Sequence, residues 1–150
     1  MPKVELETIE KTNRTGYPAP HDEQVAGRWY RRIGAATGLT EIGVSHVTLE
    51  PGAWSSQRHW HNGLDEFLVM LDGEAVLIED DGETILRAGD CASWPKDVPN
   101  GHHLINRGDR PCTFLAFDNR RGEGDCHYPD VDLRFDAARR SFMHKDGSPF

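Results

Sequence analysis

The chain has 150 residues, enough for one domain with a real hydrophobic core. Its 17 Lys and Arg stand against 25 Asp and Glu, a formal charge of −8, and the basic residues are scattered apart from short pairs such as Arg31-Arg32, Arg120-Arg121 and Arg139-Arg140. This balance argues against a nucleic-acid partner, which needs a concentrated positive face, and no apolar run approaches the roughly 18 residues of a membrane span.

Residues 1–28 mix acids, polar residues and prolines and form an arm. They hold no apolar stretch long enough for a signal peptide, so a cytoplasmic protein is expected. One strand is predicted near Trp29–Ile33. From Ile42 to Asp118 the punctuation is dense: Pro51-Gly52, Asp72-Gly73, Asp81-Gly82, Gly89-Asp90, Pro99-Asn100-Gly101 and Gly108-Asp109 separate runs rich in Val, Ile, Leu and Phe. These turn signals predict strands at Ile42–Leu49, Ser55–His61, Glu66–Leu71, Glu74–Glu79, Glu83–Leu86, Cys91–Trp94, His102–Asn106 and Cys112–Asp118. Eight short strands make an all-β jelly-roll barrel, here residues 29–118.

Phe67–Leu71 and Ala75–Ile78 are apolar on both faces, so each is expected to be covered twice, by the opposing sheet and by terminal segments or a second subunit. A homodimer follows from that. Residues 119–150, polar and rich in Gly, Pro and Asp, are expected to form an extension packed on the barrel, with one helical turn at Asp136–Arg140. Cys91, Cys112 and Cys126 are an odd set without CxxC spacing, which predicts reduced, mostly buried thiols.

The stretch HWHNGLDEF carries the chemistry. In a strand, residues i and i+2 share a face, so His59 and His61 project together, about 7 Å apart along the strand, while Trp60 turns away. Residues 62–65 reverse the chain, and Glu66 opens the next strand on the same face, with Leu68 and Met70 continuing its parity. Taken alone, H-x-H-x4-E fits a metal site and a pair of surface histidines near a turn about equally well. A further donor is available in GDCASWPKDVPNGHHLIN, where His102 or His103 opens a strand after a turn.

Both stretches resemble the motifs of the cupin superfamily. The first, G-x5-H-x-H-x3,4-E-x6-G, is matched by Gly52, His59, His61, Glu66 and Gly73, with six residues between Gly52 and His59. The second, G-x5-P-x-G-x2-H-x3-N, is matched by Gly89 and Pro95 at one end and His102 and Asn106 at the other; Asp97 stands in place of the glycine, and two extra residues precede the histidine. H-x3-N selects His102 over His103, and Asn100-Gly101 can absorb the insertion as a turn.

The resemblance implies the double-stranded β-helix of that superfamily. It also implies a divalent transition ion, Mn, Fe, Ni, Co or Zn, held by His59, His61, Glu66 and His102. Imidazole and carboxylate together suit such an ion without selecting among them, and an open coordination position would allow Lewis-acid or dioxygen chemistry.

Other residues are weighed against structural roles. His46 shares parity with Ile42 and Val44 and is a candidate cavity contact, with a core or surface role the stronger alternative. His103 should face away if His102 faces in. Trp54, Trp94, Met70 and Phe114 shape either an apolar cavity or the core. Arg58, of opposite parity to His59, should form an exposed ion pair, and Tyr128, Asp130 and Asp132 either cap the barrel mouth or pack outside it. Two functions follow: a metal-dependent enzyme on a small organic substrate, of dioxygenase, isomerase, decarboxylase or lyase type, or a non-catalytic metal- or ligand-binding sensor.

Overall fold

The structure is a computed structural model that describes residues 3–119 and 124–150, so the Arg120-Arg121 pair lies outside the described residues. In chain order the strands are β1 (Arg28–Arg32), β2 (Ile42–Leu49), β3 (Trp60–His61), β4 (Glu66–Asp72), β5 (Glu74–Glu79), β6 (Gly82–Arg87), β7 (Cys91–Trp94), β8 (His103–Ile105), β9 (Cys112–Asn119), β10 (Cys126–Tyr128), β11 (Leu133–Asp136) and β12 (Ser141–Met143). The turns fall where glycine permits them. Gly73, between β4 and β5, has φ +72°, and a Cβ there would lie 2.9 Å from Cys112 Cβ; only glycine satisfies both constraints.

One antiparallel layer runs β1-β2-β9-β4-β7. The opposing layer combines β6-β5-β8 with β12-β11-β10-β3, and the bridge between His59 and His102 joins the two pieces. Alternation along the strands sends one set of side chains between the layers. Val47, Leu49, Leu68, Met70 and Phe114 come from the first layer and meet Ala75, Leu77, Leu86 and Leu104 from the second. Leu49 and Met70 are almost wholly buried, each worth about 1.5–3 kcal/mol relative to exposure.

The register stacks the inward residues of the first layer in rows. Tyr30, Val47, Phe114 and Met70 lie side by side; Arg32, Ser45, Ala116 and Leu68 form the next row, and Gly43, Asp118, Glu66 and Trp94 the one beyond. Glu66 therefore sits at one end of the barrel, above an apolar floor.

Three sequence expectations need correction. The strand expected over Ser55–His61 is reduced to Trp60–His61, flanked by isolated bridges at Trp54–Ile105 and His59–His102. Its carbonyls are diverted to side chains: Ser55 O accepts from Arg28 Nη1 at 2.7 Å, Ser56 O faces His103 Nδ1 at 3.0 Å and Gln57 O faces His59 Nδ1 at 2.9 Å. Competition of this kind interrupts a ladder.

The helical turn expected at Asp136–Arg140 is instead the connection of the β11–β12 hairpin, with the Asp136 carboxylate accepting from Arg139 N and Arg140 at φ +53°. Terminal segments, one of the two covers expected over Phe67–Leu71, leave Phe67 and Leu71 exposed on the outer face of the single chain.

The segment after β9 adds strands to the barrel. β10 pairs with β3, matching Cys126 to His61 and His127 to Trp60. Cys126, Tyr128 and Leu133 build a second small core with Tyr17 and Phe142.

Candidate metal centre

β3 and β4 are joined by a short reversal that returns Glu66 to the face of His59 and His61. His102 arrives from the opposite side, held at the mouth of β8 by its bridge to His59, with His59 N to His102 O at 3.1 Å and His102 N to His59 O at 2.9 Å. The four side chains converge. His102 Nε2 lies 2.9 Å from Glu66 Oε2, His59 Nε2 lies 3.7 Å from the same oxygen, and His61 Nε2 lies 3.7 Å from Glu66 Oε1.

The Nδ1 atoms of His59 and His102 are occupied elsewhere. His59 Nδ1 is 2.9 Å from Gln57 O and 3.1 Å from Ser56 Oγ, and His102 Nδ1 is 3.3 Å from Asn100 O. A backbone carbonyl at Nδ1 fixes a proton there and turns the Nε2 lone pair toward the centre, the arrangement metal-binding histidines need.

Donor atoms of His59, Glu66 and His102 all lie within 4.8 Å of one another, as do those of His59, His61 and Cys126. Two ligands each about 2.1 Å from one ion at right angles stand about 3 Å apart. The observed separations of 2.9 and 3.7 Å are therefore of the size an ion would impose, and the donor set suits a borderline divalent cation.

The electrostatics agree with that chemistry. Burial alone would raise the Glu66 carboxyl, but the His102 and His59 imidazoles beside it hold it well below the usual carboxylate range. Burial opposes the charged form of His59, and its contacts with Glu66 reverse this and raise it. His61, desolvated and repelled by His59, is lowered to about 4 and is neutral at physiological pH. The carboxylate is thus anionic and at least one imidazole is free of charge.

Around the centre, Trp94 stacks flat on His102, with centroids 3.9 Å apart and planes 8° from parallel, and its Nε1 donates to Glu79 Oε1 at 3.0 Å. Leu68, Leu104 and Phe114 form the apolar wall of a cleft of about 1850 Å³ that continues outward to the N-terminal arm. Tyr128 tilts over His59 with ring centroids 5.9 Å apart. Burial raises the phenols of both Tyr128 and its neighbour Tyr17, the latter to about 12, so both remain hydrogen-bond donors.

Of the remaining sequence candidates, His46 is turned away from the cavity: it pairs with Leu115 on the outer face of β2 and has Arg31 and Lys11 for charged neighbours. His103 points away from the centre and packs against Trp54. Met70 lies in the core beneath the site. Arg58 does form the expected ion pairs, with Asp130 at 2.7 Å and with Asp80, but its own side chain is largely buried. Asp132 holds His144 at 2.8 Å, outside the mouth.

Asp97, where the motif carries glycine, keeps the left-handed backbone at φ +66° and accepts from Asn62 Nδ2 and Gly63 N, both at 3.1 Å. Aspartate is among the few side chains that tolerate that region.

Sequence reasoning missed Cys126, Tyr17, Arg28 and Tyr30, all of which line the cleft. Cys126 and Tyr17 belong to segments with no local periodicity. The only available signal for the other two was the alternation of Arg28-Trp29-Tyr30 in a strand.

Comparison with known proteins adds the following. The family model described as Cupin domain matches residues 45–118. The chain is similar to the crystal structure of a sugar phosphate isomerase of the cupin superfamily from Silicibacter pomeroyi, at 42% identity and a TM-score of 0.93, covering 99% of this chain and 96% of that one. It also resembles a proposed sugar phosphate isomerase from Acidithiobacillus ferrooxidans, with 22% identity, a TM-score of 0.73 and coverage of 82% and 80%. The polyketide cyclase RemF from Streptomyces resistomycificus is similar at 15% identity, with a TM-score of 0.65 and coverage of 81% and 80%. These last two likenesses show the fold alone. No curated protein sequence matches the chain.

Proposed function

The chain belongs to the cupin superfamily, and on that premise we propose that it is a metal-dependent isomerase of a small sugar-like molecule, with His59, His61, Glu66 and His102 holding a divalent transition ion. The carrying observation is the convergence of three imidazole nitrogens on the Glu66 carboxylate at 2.9–3.7 Å. The relative at 42% identity, a sugar phosphate isomerase, supports that reaction class.

When bound, such an ion supplies a Lewis acid that polarises a carbonyl or hydroxyl oxygen. The chain's own residues supply the rest. Glu66 stays anionic at neutral pH and brings charge balance to the site. Tyr128, protonated beside His59, offers an O–H to a substrate oxygen. Trp94, Leu68 and Phe114 keep the inner end of the cleft apolar, which excludes water and strengthens each polar contact made there.

The reading also includes a homodimer, since Ile42, Phe67 and Leu71 are large apolar side chains left exposed on the outer face. No helix among the described residues is long and apolar enough to cross a membrane.

The test is metal analysis of untagged protein, followed by chelation and an assay on aldose and ketose phosphates. About one ion per chain is expected. Stripping it should lower the melting midpoint by several degrees, because the ion stabilises only the folded state. Glu66→Gln should lose metal and at least roughly 100-fold in turnover, more than the loss typical of the outer residues that merely support a ligand. Metal-free protein with undiminished turnover would overturn the reading; stoichiometric metal without turnover on any such substrate would replace it with a binding module.

A further inference from the structure

The sequence RWYRR of β1 places three arginines on two faces of one strand, and the two faces treat them differently. In the antiparallel register Arg28 lies opposite Leu49, Tyr30 opposite Val47 and Arg32 opposite Ser45. Directly paired residues share a face. Leu49 and Val47 belong to the core, so Arg28, Tyr30 and Arg32 all project inward, and all three line the cleft. Arg31 projects outward.

The outward arginine is satisfied: its Nη2 pairs with Glu7 at 2.6 Å and its Nη1 donates to Ile9 O. Neither inward arginine has a carboxylate partner among the described residues. Arg28 donates one bond, Nη1 to Ser55 O at 2.7 Å, and its Nε is buried with no hydrogen-bond partner. Arg32 makes no hydrogen bond or ion pair among the described residues, and its guanidinium lies 5.3 Å from the Tyr30 ring centroid, with that of Arg28 5.5 Å from the same ring. The Tyr30 hydroxyl, which donates to Arg14 O at 2.8 Å, fixes the ring between them.

A buried guanidinium with an unmet donor is costly unless something anionic meets it. Desolvation accordingly pulls Arg28 below its ordinary value. In a chain with eight more acids than bases, leaving the Arg28 guanidinium without a carboxylate in the cleft, while Arg31 three residues further on is paired, points to a partner that arrives from solution.

The position fits. Ser55, which accepts from Arg28, precedes Ser56, whose hydroxyl lies 3.1 Å from His59 Nδ1, so the guanidinium is one residue removed from a side chain that touches the candidate ligand set.

We infer that Arg28, with Arg32 at its outer side and Tyr30 between them, is the subsite that binds an anionic group of the substrate, a phosphate or a carboxylate. This rests on the isomerase reading for the identity of the molecule but not for the anion contact itself. Arg28 is a substrate-binding residue that fixes which end of the molecule faces the metal centre. Arg32, nearer solvent, guides the anion inward. A guanidinium fork suits either group by two parallel hydrogen bonds, which an ammonium cannot reproduce.

The experiment measures binding of inorganic phosphate and, separately, malonate to the full chain by calorimetry, with its metal present and after chelation. Arg28→Gln should weaken the preferred anion by about tenfold or more and Arg28→Lys by less, in keeping with the lost fork; Arg32→Gln should weaken it by a smaller factor that shrinks at high salt. Whichever probe binds more tightly identifies the group.

In the wild type, the same anion should protect Arg28 from phenylglyoxal, read by mass spectrometry, which decides the matter if the glutamine variant fails to fold. Binding that survives chelation but falls with Arg28 supports the subsite even if the chain proves to have no isomerase activity. Binding that vanishes on chelation and ignores Arg28, or a wild type that takes neither anion and leaves Arg28 equally reactive, overturns it.

Discussion

At the residue scale, Asn106 illustrates how a motif position can act at a distance from the chemistry. It is 0% exposed, and none of its side-chain hydrogen bonds goes to the four converging side chains. Its Nδ2 donates to Leu49 O at 2.9 Å and Arg110 O at 2.8 Å, while its Oδ1 accepts from Gly108 N at 2.9 Å. The asparagine clamps the β8–β9 loop onto the end of β2. Asn106→Ala leaves two carbonyls and an N–H without partners, so a loss of about 2–4 kcal/mol is expected in urea unfolding, with metal stoichiometry retained in the folded fraction. The cysteines give a second residue-scale expectation. Burial raises the Cys112 thiol to about 11 and pushes Cys126 higher still, whereas Cys91 is exposed. Since the thiolate is the reactive form, iodoacetamide at pH 8 should label Cys91 and spare the other two, read by peptide mass spectrometry. His59, His61 and Glu66 were legible in sequence because strand parity and one short turn decide where they point. Cys126 and Tyr17 were not, because their places depend on pairings with distant segments that leave no local trace.

At the element scale, the stretch from Ser55 to Gln57 and the segment from β10 to β12 carry the departures from expectation. Alternating residues over Ser55–His61 satisfy a strand pattern, yet Ser55 uses its hydroxyl to accept from Leu104 N at 2.8 Å, and Gln57 reaches His21 O and Gln24 Oε1. Polar side chains won over the ladder, and sequence periodicity cannot report that contest. The late strands are tied to the barrel by Arg58, which makes a two-pronged contact with Asp130, Nε to Oδ2 and Nη2 to Oδ1, both at 2.7 Å. The Arg58 hydrogen bond is the main cause of the lowered pKa of Asp130. A carboxyl depressed in the folded state stabilises above its unfolded value and loses that contribution as pH falls through the folded one. Protease sensitivity near residue 130 should therefore be flat at neutral pH and rise as pH drops below about 4. Arg58→Ala should show the raised sensitivity already at pH 7, with a cost in global stability of about 1 kcal/mol or less, since Asp130 is largely open to solvent.

At the scale of the whole molecule, the all-β barrel was legible because turn signals recur at short intervals, and seven of the eight strands predicted from Ile42 to Asp118 are observed within a residue or two of their expected limits. What covers the outer face was not legible: Phe67–Leu71 reads as doubly buried, and the single chain leaves Phe67 at 40% and Leu71 at 43% exposure. A second copy would reconcile pattern and exposure. Light scattering should give twice the chain mass, and Phe67→Glu, which places a charge opposite Phe117 on that face, should shift it to the monomer mass while metal content stays unchanged. The pairing of β10 with β3 has a consequence for biosynthesis. β10 follows nine earlier strands among the described residues, so the edge carrying His61 has no partner until this late segment of the chain has been made. The wall of the pocket beside His61 is thereby completed only when β10 docks, after the rest of the barrel has been made.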